Sequence, residues 1–298
     1  MGRRMLSVWC GAGLVLALGL VPAVAAAADE PKPNRAAANA TKPGAATAEA
    51  QRPDVEPATI SANRPGFGET ADVVGRGVFQ VESGMVFDGD RVEDATARTI
   101  TAPAYLVRLG LTSRLEIQVA SEGMFSRWHS GPEPSSRVSG LADVDLGFKA
   151  KLATEAEAGA NVAVLGTLNL PTGADGFSSG GYDPGVKLAF GKSLAGGFSV
   201  GGNVQLASAS TGEGRVLQHA LSGVVARTFA GAWAAFGEAY RQSAGPGATA
   251  TSVDAGVSRV VGANLQIDVS VGRGLTGPAT DWFVAFGFAV RPSALLGW

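Results

Sequence analysis

The stretch ANLQIDVSVGR, residues 263–273, decides the fold class, because its apolar and polar side chains alternate one by one. The apolar face consists of Leu265, Ile267, Val269 and Val271, and the polar face of Gln266, Asp268 and Ser270. Alternation with a period of two predicts a β-strand that has two different faces.

The same alternation recurs along the chain, most clearly in 113–120, 142–152 and 197–207. Looser matches bring the total to about twelve strands. The predicted strands are 77–88, 97–110, 113–124, 139–152, 160–170, 182–193, 197–209, 217–229, 232–241, 250–260, 263–273 and 281–291.

The connections between these strands alternate in length. Short turns are predicted near 111–112 and at 153–159, 194–197, 230–231 and 261–262, and longer polar loops at 89–96, 125–138, 171–181, 210–216, 242–249 and 274–280. An even number of strands of about ten residues, with short turns at one end and long loops at the other, is typical of an outer-membrane barrel. The sequence therefore predicts an all-β fold, an antiparallel up-and-down transmembrane β-barrel of about twelve strands.

The composition agrees with a barrel. The 298 residues are 46% apolar and only 17% charged, yet beyond the N-terminus no apolar run reaches the length of about 18 residues that a membrane helix needs. A barrel needs no such run, since only alternate residues face lipid. The alternative is a secreted β-sandwich or lipocalin-like barrel, which we expect to be shorter, more charged outside and often disulfide-bonded. The net charge of -2 argues against a strongly basic nucleic-acid binder.

The N-terminal region has a different character. Residues 1–27 combine Arg3 and Arg4 with an apolar stretch and a small-residue end, which predicts a cleaved signal peptide. A retained anchor helix is the alternative. Residues 28–60, rich in Ala and Pro, are predicted to form a disordered linker. The only cysteine, Cys10, lies in the signal segment, so the mature chain offers no disulfide or thiolate site.

Several motifs then resemble a known family in their order and spacing. They are NRPGFGETADVVGRGVFQVESG (63–84), YLVRLGLTSRLEIQV (105–119), GLADVDLGFKAKL (140–152), LPTG (170–173), YDPGVKLAFGKSLAGGFSVGGN (182–203) and DWFVAFGFAVRP (281–292). Over residues 61–291 the chain resembles the outer-membrane transporter-like family named for the meta-cleavage pathway of phenol degradation. The resemblance implies a twelve-stranded barrel that acts as a channel, for aromatic or other small organic compounds.

The polar faces of the strands supply candidate lumen residues. They are Glu82, Arg108, Glu116, Asp143, Asp145, Lys149, Lys151, Lys187, Glu238 and Asp268. Ionisable groups at membrane depth are costly unless they pair or contact water. Two interpretations stay open. The residues fill a narrow barrel as salt-bridged ladders, or some of them set a preference for particular solutes.

Residues 61–76 precede the first strand, and 77–298 form the predicted barrel domain. The lead-in contains Arg64, Glu69 and Asp72. We expect either a plug that folds into the barrel, with Arg64 paired to a lumen carboxylate, or a simple solvated lead-in.

The sequence gives little support for an enzyme. The two histidines are His129 and His219, and a strand places His219 and the nearby Ser222 on opposite faces. The sequence shows no phosphate-binding loop and no cluster of metal ligands, so neither a cofactor nor a metal is expected.

The predicted function is passive passage of small organic solutes across a Gram-negative outer membrane. The alternatives are a closed structural or surface-interaction barrel and, third, a barrel-embedded lipid-modifying enzyme. The expected partners are outer-membrane lipid and lipopolysaccharide, the barrel-assembly machinery and a small organic solute, with no nucleic acid.

Overall fold

The computed structural model describes residues 60–292 apart from 133, 244 and 246, and these residues form a closed barrel. Neighbours along the chain pair antiparallel, and the first strand pairs with the last. The predicted twelve-stranded up-and-down barrel is thereby confirmed. The predicted signal peptide (1–27) and all but the last residue of the predicted linker lie outside the described residues.

The strands vary in length, and two of them are interrupted. They are β1 Phe79–Val92, β2 Ala95–Gly110, β3 Leu115–Ser121 with Met124–Ser130, β4 Ser136–Leu141 with Val144–Ala153, β5 Asn161–Leu170, β6 Asp183–Ser193, β7 Phe198–Thr211, β8 Gly214–Phe229, β9 Trp233–Ser243, β10 Thr249–Val261, β11 Leu265–Gly274 and β12 Trp282–Val290. One helical turn, α1 (Glu155–Ala158), and a 3-10 turn (Ala195–Gly197) lie in two of the short connections. No helix in the described part of the chain is long and apolar enough to cross a membrane.

The predicted loop at 125–138 is wrong, because most of it is strand. Met124–Ser130 pairs with Thr96–Ala102 of β2 and with Ser136–Leu141 of β4, which extends the barrel wall. The sequence MFSRWHS mixes polar and large apolar residues without a two-residue period, so the pattern gives no strand signal there. Backbone pairing with two neighbouring strands holds this segment extended.

The barrel is apolar outside and polar inside. Along β11, Ile267 is 46% exposed, whereas its neighbour Asp268 is 8% exposed. Arg108 of β2 and Lys149 of β4 are fully buried, while Leu221 of β8 is 56% exposed. A soluble sandwich or barrel would have the opposite arrangement. The outward faces therefore form the lipid-facing band of an outer-membrane barrel.

A β-bulge changes which face of β2 points inward. Gly84 of β1 pairs with Ala104, but Val86 pairs with Thr101, so β2 carries one extra residue at this point. Inward residues are consequently even-numbered at Arg108 and odd-numbered at Thr99. The extra residue therefore interrupts the alternation of inward and outward side chains within the predicted strand 97–110.

The lipid-facing band makes a prediction for β8. Leu221 lies at the middle of this strand, and Leu217 lies on the same face nearer to the turn between β7 and β8. We expect Leu221→Arg to lower the free energy of unfolding by about 2–4 kcal/mol, because an arginine at the bilayer midplane is most costly there. Leu217→Arg is the matched control, with a loss of about 0–1 kcal/mol. Denaturant titration in phospholipid vesicles measures both, and equal losses would contradict the depth assigned to Leu221.

Candidate functional site

Residues 60–76, called here the lumen segment, run inside the barrel before β1 begins. They form no helix or strand, yet Ile60, Ala62, Ala71 and Val74 are at most 8% exposed. Backbone groups of such a segment cannot be satisfied by a regular ladder. They must find their partners among the side chains of the barrel wall.

Two small apolar clusters hold the segment near its ends. One cluster contains Ile60, Ala62, Ala289 and the partly buried Val260, and the other contains Ala71, Ala163, Leu165 and Ala189. Between the clusters, the Phe67 ring stacks on Tyr240 of β9, with ring centroids 4.2 Å apart and planes at 2°. The wall alanines leave room for the segment to approach closely. Ile60, which the sequence assigned to the linker, belongs to this packed segment.

Glu238 of β9 binds the turn in the middle of the lumen segment. Its carboxylate accepts hydrogen bonds from Phe67 N at 2.7 Å and from Gly68 N at 2.9 Å. Asn203 of β7 accepts one from Glu69 N at 2.6 Å. Three consecutive backbone amides are therefore satisfied by wall side chains.

Arg108 lies at the centre of a buried ion-pair group. Its Nε lies 2.8 Å from Glu116 Oε1, and its Nη1 lies 3.1 Å from Glu82 Oε1. The same guanidinium donates to the carbonyl oxygens of Ser61 at 3.0 Å and Asp72 at 2.9 Å. The arginine thus pairs with two wall carboxylates and binds both ends of the lumen segment.

Those two carboxylates also bind backbone amides of the segment. Glu82 accepts from Asn63 N at 2.9 Å, and Glu116 accepts from Val74 N at 2.7 Å. Two carboxylates beside one guanidinium carry an excess negative charge, which amide N–H groups stabilise. The wall group is therefore complete only with the lumen segment in place.

Glu69 is a carboxylate of the lumen segment itself. It lies 2.8 Å from Lys187 Nζ of β6 and 3.4 Å from Lys149 Nζ of β4, and it accepts from Asn63 Nδ2 at 2.8 Å. Burial raises the pKa of Glu69, but Lys187, Lys149 and Arg108 outweigh burial and lower the pKa from 4.5 to about 2. The ionised form is thus favoured in the docked state. Its contribution to docking is complete above pH 4.5 and is lost as the pH falls through about 2.

Two further ion pairs flank Glu69. Arg64 Nη2 lies 3.4 Å from Asp268 Oδ1 of β11, and Lys151 Nζ of β4 lies 2.9 Å from Asp72 Oδ1. The Arg64 guanidinium rests on Gly84 and Gly287, which pair across the junction of β1 and β12. A β-carbon at either glycine would overlap the guanidinium, so glycine is needed for this close approach.

The structure places nine of the ten candidate lumen residues among the buried side chains, and Lys151 is half-buried. Asp143 makes contacts of a different kind, since it accepts from Gly173 N and Ser179 N of the long loop after β5, each at 2.8 Å. Asp145 accepts from Asn169 Nδ2 at 3.2 Å. The other eight bind the lumen segment or Arg108.

Several polar residues that line the lumen are not among the candidates predicted from the sequence. Asn203 and Gln266 are uncharged, although both lie on polar faces that alternate clearly. Asp254 of β10 is 7% exposed and pairs in register with Glu238. Val253 and Val257 lie on the apolar face of this strand and Asp254 on the opposite face, so the alternation could have identified Asp254 as a lumen residue.

A cavity of about 180 Å³ lies beside the lumen segment. Residues of the segment and of the wall line it, among them Phe67, Glu69, Tyr105, Gln118, Thr167 and Lys187. The lining combines two aromatic rings, hydroxyl and amide groups and the Glu69–Lys187 ion pair. Such a mixture suits a small organic molecule that carries a polar group.

The histidine considered for catalysis lies on the other side of the wall. His219 is exposed, and Ser222, three residues later, is buried inside the barrel, as the strand geometry predicts. His219 Nδ1 lies 3.0 Å from Ser243 Oγ. Within the described part of the chain, no group of three or more His, Cys, Asp or Glu side chains is placed to hold a metal ion.

The chain matches the model of one protein family and is similar in fold to several solved β-barrels. The family model described as "Putative MetA-pathway of phenol degradation" matches residues 62–291. An outer membrane channel from Pseudomonas putida F1 aligns with 76% of this chain and 98% of its own, with 14% identity and a TM-score of 0.54. The KdgM porin is 9% identical and aligns with 71% of this chain and 98% of its own, with a TM-score of 0.45. The NanC porin is 10% identical and aligns with 72% of this chain and 99% of its own, with a TM-score of 0.46. Curated protein sequences give no match.

The Glu69 contacts predict how firmly the segment is docked. We expect Glu69→Gln to increase the exposure of the lumen segment by at least about tenfold at pH 7, because a charge-assisted hydrogen bond contributes about 1.5–3 kcal/mol. Ala71→Cys in a Cys10→Ser background reports this exposure through its rate of maleimide labelling, since Ala71 is only 3% exposed.

Glu157→Gln is the matched control in the same background. Glu157 is a surface carboxylate that pairs with Arg114 outside the lumen, so labelling of residue 71 should not change. Equal labelling rates for Glu69→Gln and the parent protein would show that the Glu69 ion pairs do not hold the segment.

Proposed function

The chain belongs to the family whose model matches residues 62–291, and we propose that it is an outer-membrane channel for passive passage of small organic solutes, closed here by its lumen segment. The family membership agrees with the resemblance drawn from the sequence motifs. The description of the family, phenol degradation, suggests aromatic compounds as the solute class. Passage would follow the concentration gradient, without an energy source.

The observation that carries the proposal is the way the lumen segment crosses the barrel. Glu69 and Asp72 bind lysines of β4 and β6, whereas Arg64 binds Asp268 of β11. The segment thus reaches opposite parts of the wall and occupies the space through which a solute would pass.

The chemistry of these contacts favours a removable plug over a permanent filling. Most are hydrogen bonds and ion pairs to polar side chains, and water or a polar solute can replace such contacts. The apolar anchors are small and consist mainly of alanines, with one leucine, one isoleucine and one valine. A permanently closed barrel, the second candidate function, would be expected to fill its lumen from its own wall.

The proposal includes the cellular setting. A lipid-facing apolar band requires a membrane. The proposal places the barrel in the bacterial outer membrane, where the barrel-assembly machinery would insert it. Residues 1–27 would direct the chain across the inner membrane and be removed. We also propose that the long loops contact lipopolysaccharide. The protein would have no catalytic activity.

A disulfide that fixes the segment tests the plug. A Cβ at Gly68 would lie 2.8 Å from Ser222 Oγ of β8, which places the two β-carbons within the separation of about 4.5 Å that a disulfide allows. We expect Gly68→Cys with Ser222→Cys, in a Cys10→Ser background, to conduct poorly in planar bilayers when oxidised. Reduction with dithiothreitol should raise the conductance severalfold, because the segment can then leave.

Gly68→Cys alone is the control, since its β-carbon crowds Glu238 and Asn203 in the same way but it cannot form the bond and should not respond to the reductant. A double variant that conducts equally well in both redox states would contradict the plug. Absence of conductance and of solute uptake in the parent protein and all variants would favour the closed structural barrel.

A further inference from the structure

We propose that the wall of the lumen holds a carboxylate-binding site, occupied here by Glu69, and that the solute is a small organic carboxylate of about one aromatic ring. This inference rests on the proposed channel function and specifies its substrate class. Glu69 would then be an internal mimic of the solute. Binding of the solute and docking of the segment would exclude one another.

The wall side of this site consists of Lys149 and Lys187. The side chains of both lysines are at least 93% buried, and both ammonium nitrogens lie within 3.4 Å of a Glu69 oxygen. Buried ammonium groups are costly without an anionic partner. Two of them converging on one carboxylate define a site for an anion rather than for a neutral alcohol or a cation.

Lys149 shows how strongly the site depends on its occupant. Besides Glu69, its Nζ donates to Asn63 Oδ1 at 3.1 Å and to Thr70 O at 3.0 Å. All three partners belong to the lumen segment. When the segment leaves, this fully buried lysine loses these contacts, and a solute carboxylate that enters the lumen can take the place of Glu69.

The cavity beside Glu69 supplies room for the rest of such a solute. It measures about 180 Å³ and reaches from the Glu69–Lys187 pair to the rings of Phe67 and Tyr105. A cavity of about 150 Å³ is known to accept benzene. When the segment leaves, the wall side of this space, from Lys187 to the Tyr105 ring, stays in place. A benzoate-sized molecule could therefore place its ring beside Tyr105 and its carboxylate toward Lys187.

Competition for one site would make the solute the opening signal. A ligand shifts an equilibrium only by its differential affinity for the two states. A carboxylate that binds Lys149 and Lys187 only when Glu69 is absent stabilises the undocked segment. The open population would then rise with solute concentration.

The experiment compares sodium benzoate with benzyl alcohol, its neutral analogue, and with sodium phosphate, an inorganic anion, on the full mature chain in planar bilayers at constant ionic strength. We expect benzoate at millimolar concentration to raise the conductance at least about threefold. Benzyl alcohol should have no effect, because it carries no carboxylate. If phosphate opens the channel as well as benzoate does, the site is a general anion site and the proposed solute class is wrong.

Variants of the lysines test the site itself. Lys149→Gln and Lys187→Gln should each reduce the rise in conductance that benzoate causes at least about tenfold. Lys192→Gln is the matched control on β6, because its side chain is exposed. A benzoate response that survives in both lumen variants would overturn the inference.

A binding measurement keeps the inference testable where a lysine variant fails to fold. Calorimetric titration of benzoate into detergent-solubilised Glu69→Gln should give binding at least about tenfold tighter than in the parent protein, because the internal competitor is weakened. Equal affinities would refute competition.

Failure of the inference is distinguishable from failure of the channel proposal. If the reduced Gly68→Cys/Ser222→Cys protein conducts but benzoate acts no better than benzyl alcohol, the channel stands and the carboxylate site falls. If no protein conducts under any condition, the channel proposal falls, and the substrate class falls with it.

Discussion

Charge buried inside a narrow barrel is tolerable only when it is paired, and the lumen of this protein depends on that constraint. Arg108, Glu82 and Glu116 are at most 1% exposed, and so is Lys149. The wall pairs some of these charges within itself, as in the Arg108 group. The remaining partners come from residues 60–76, which lie outside the strands. Wall and segment are thus two halves of one electrostatic arrangement.

The strand pattern was predictable because lipid imposes one rule on every outward position. Residues 263–273 alternate cleanly, and their inward and outward faces in β11 are those the sequence indicates. The rule gives no information where polar and apolar residues do not alternate, as at Met124–Ser130, or where a bulge adds a residue, as in β2. Backbone pairing between neighbours determines those regions, and pairing leaves little trace in composition.

The candidate site was only partly predictable, for a related reason. Alternation in 182–193 identifies Lys187 as an inward residue, and Glu238 was predicted to face the lumen as the ionisable group of its strand. Their partners in the lumen segment are 170 and 118 residues away in sequence. A segment without periodicity gives no register, so neither the pairing of Glu69 with Lys187 nor that of Arg64 with Asp268 follows from pattern alone. The glycine pair at Gly84 and Gly287 depends on closure of the barrel, which joins residues about 200 positions apart.

A single arrangement recurs at two places where irregular chain enters this barrel. Glu238 accepts two backbone amides of the lumen segment, and Asp143 accepts two from the loop after β5. That loop also places Phe177 against Phe125, with ring centroids 5.9 Å apart, as Phe67 lies against Tyr240. A carboxylate of the barrel wall satisfies the unpaired amides, and an aromatic stack fixes the orientation. The two sites differ in charge, because only the lumen segment brings its own carboxylates to wall lysines, and those ion pairs are the contacts for which an anionic solute can compete.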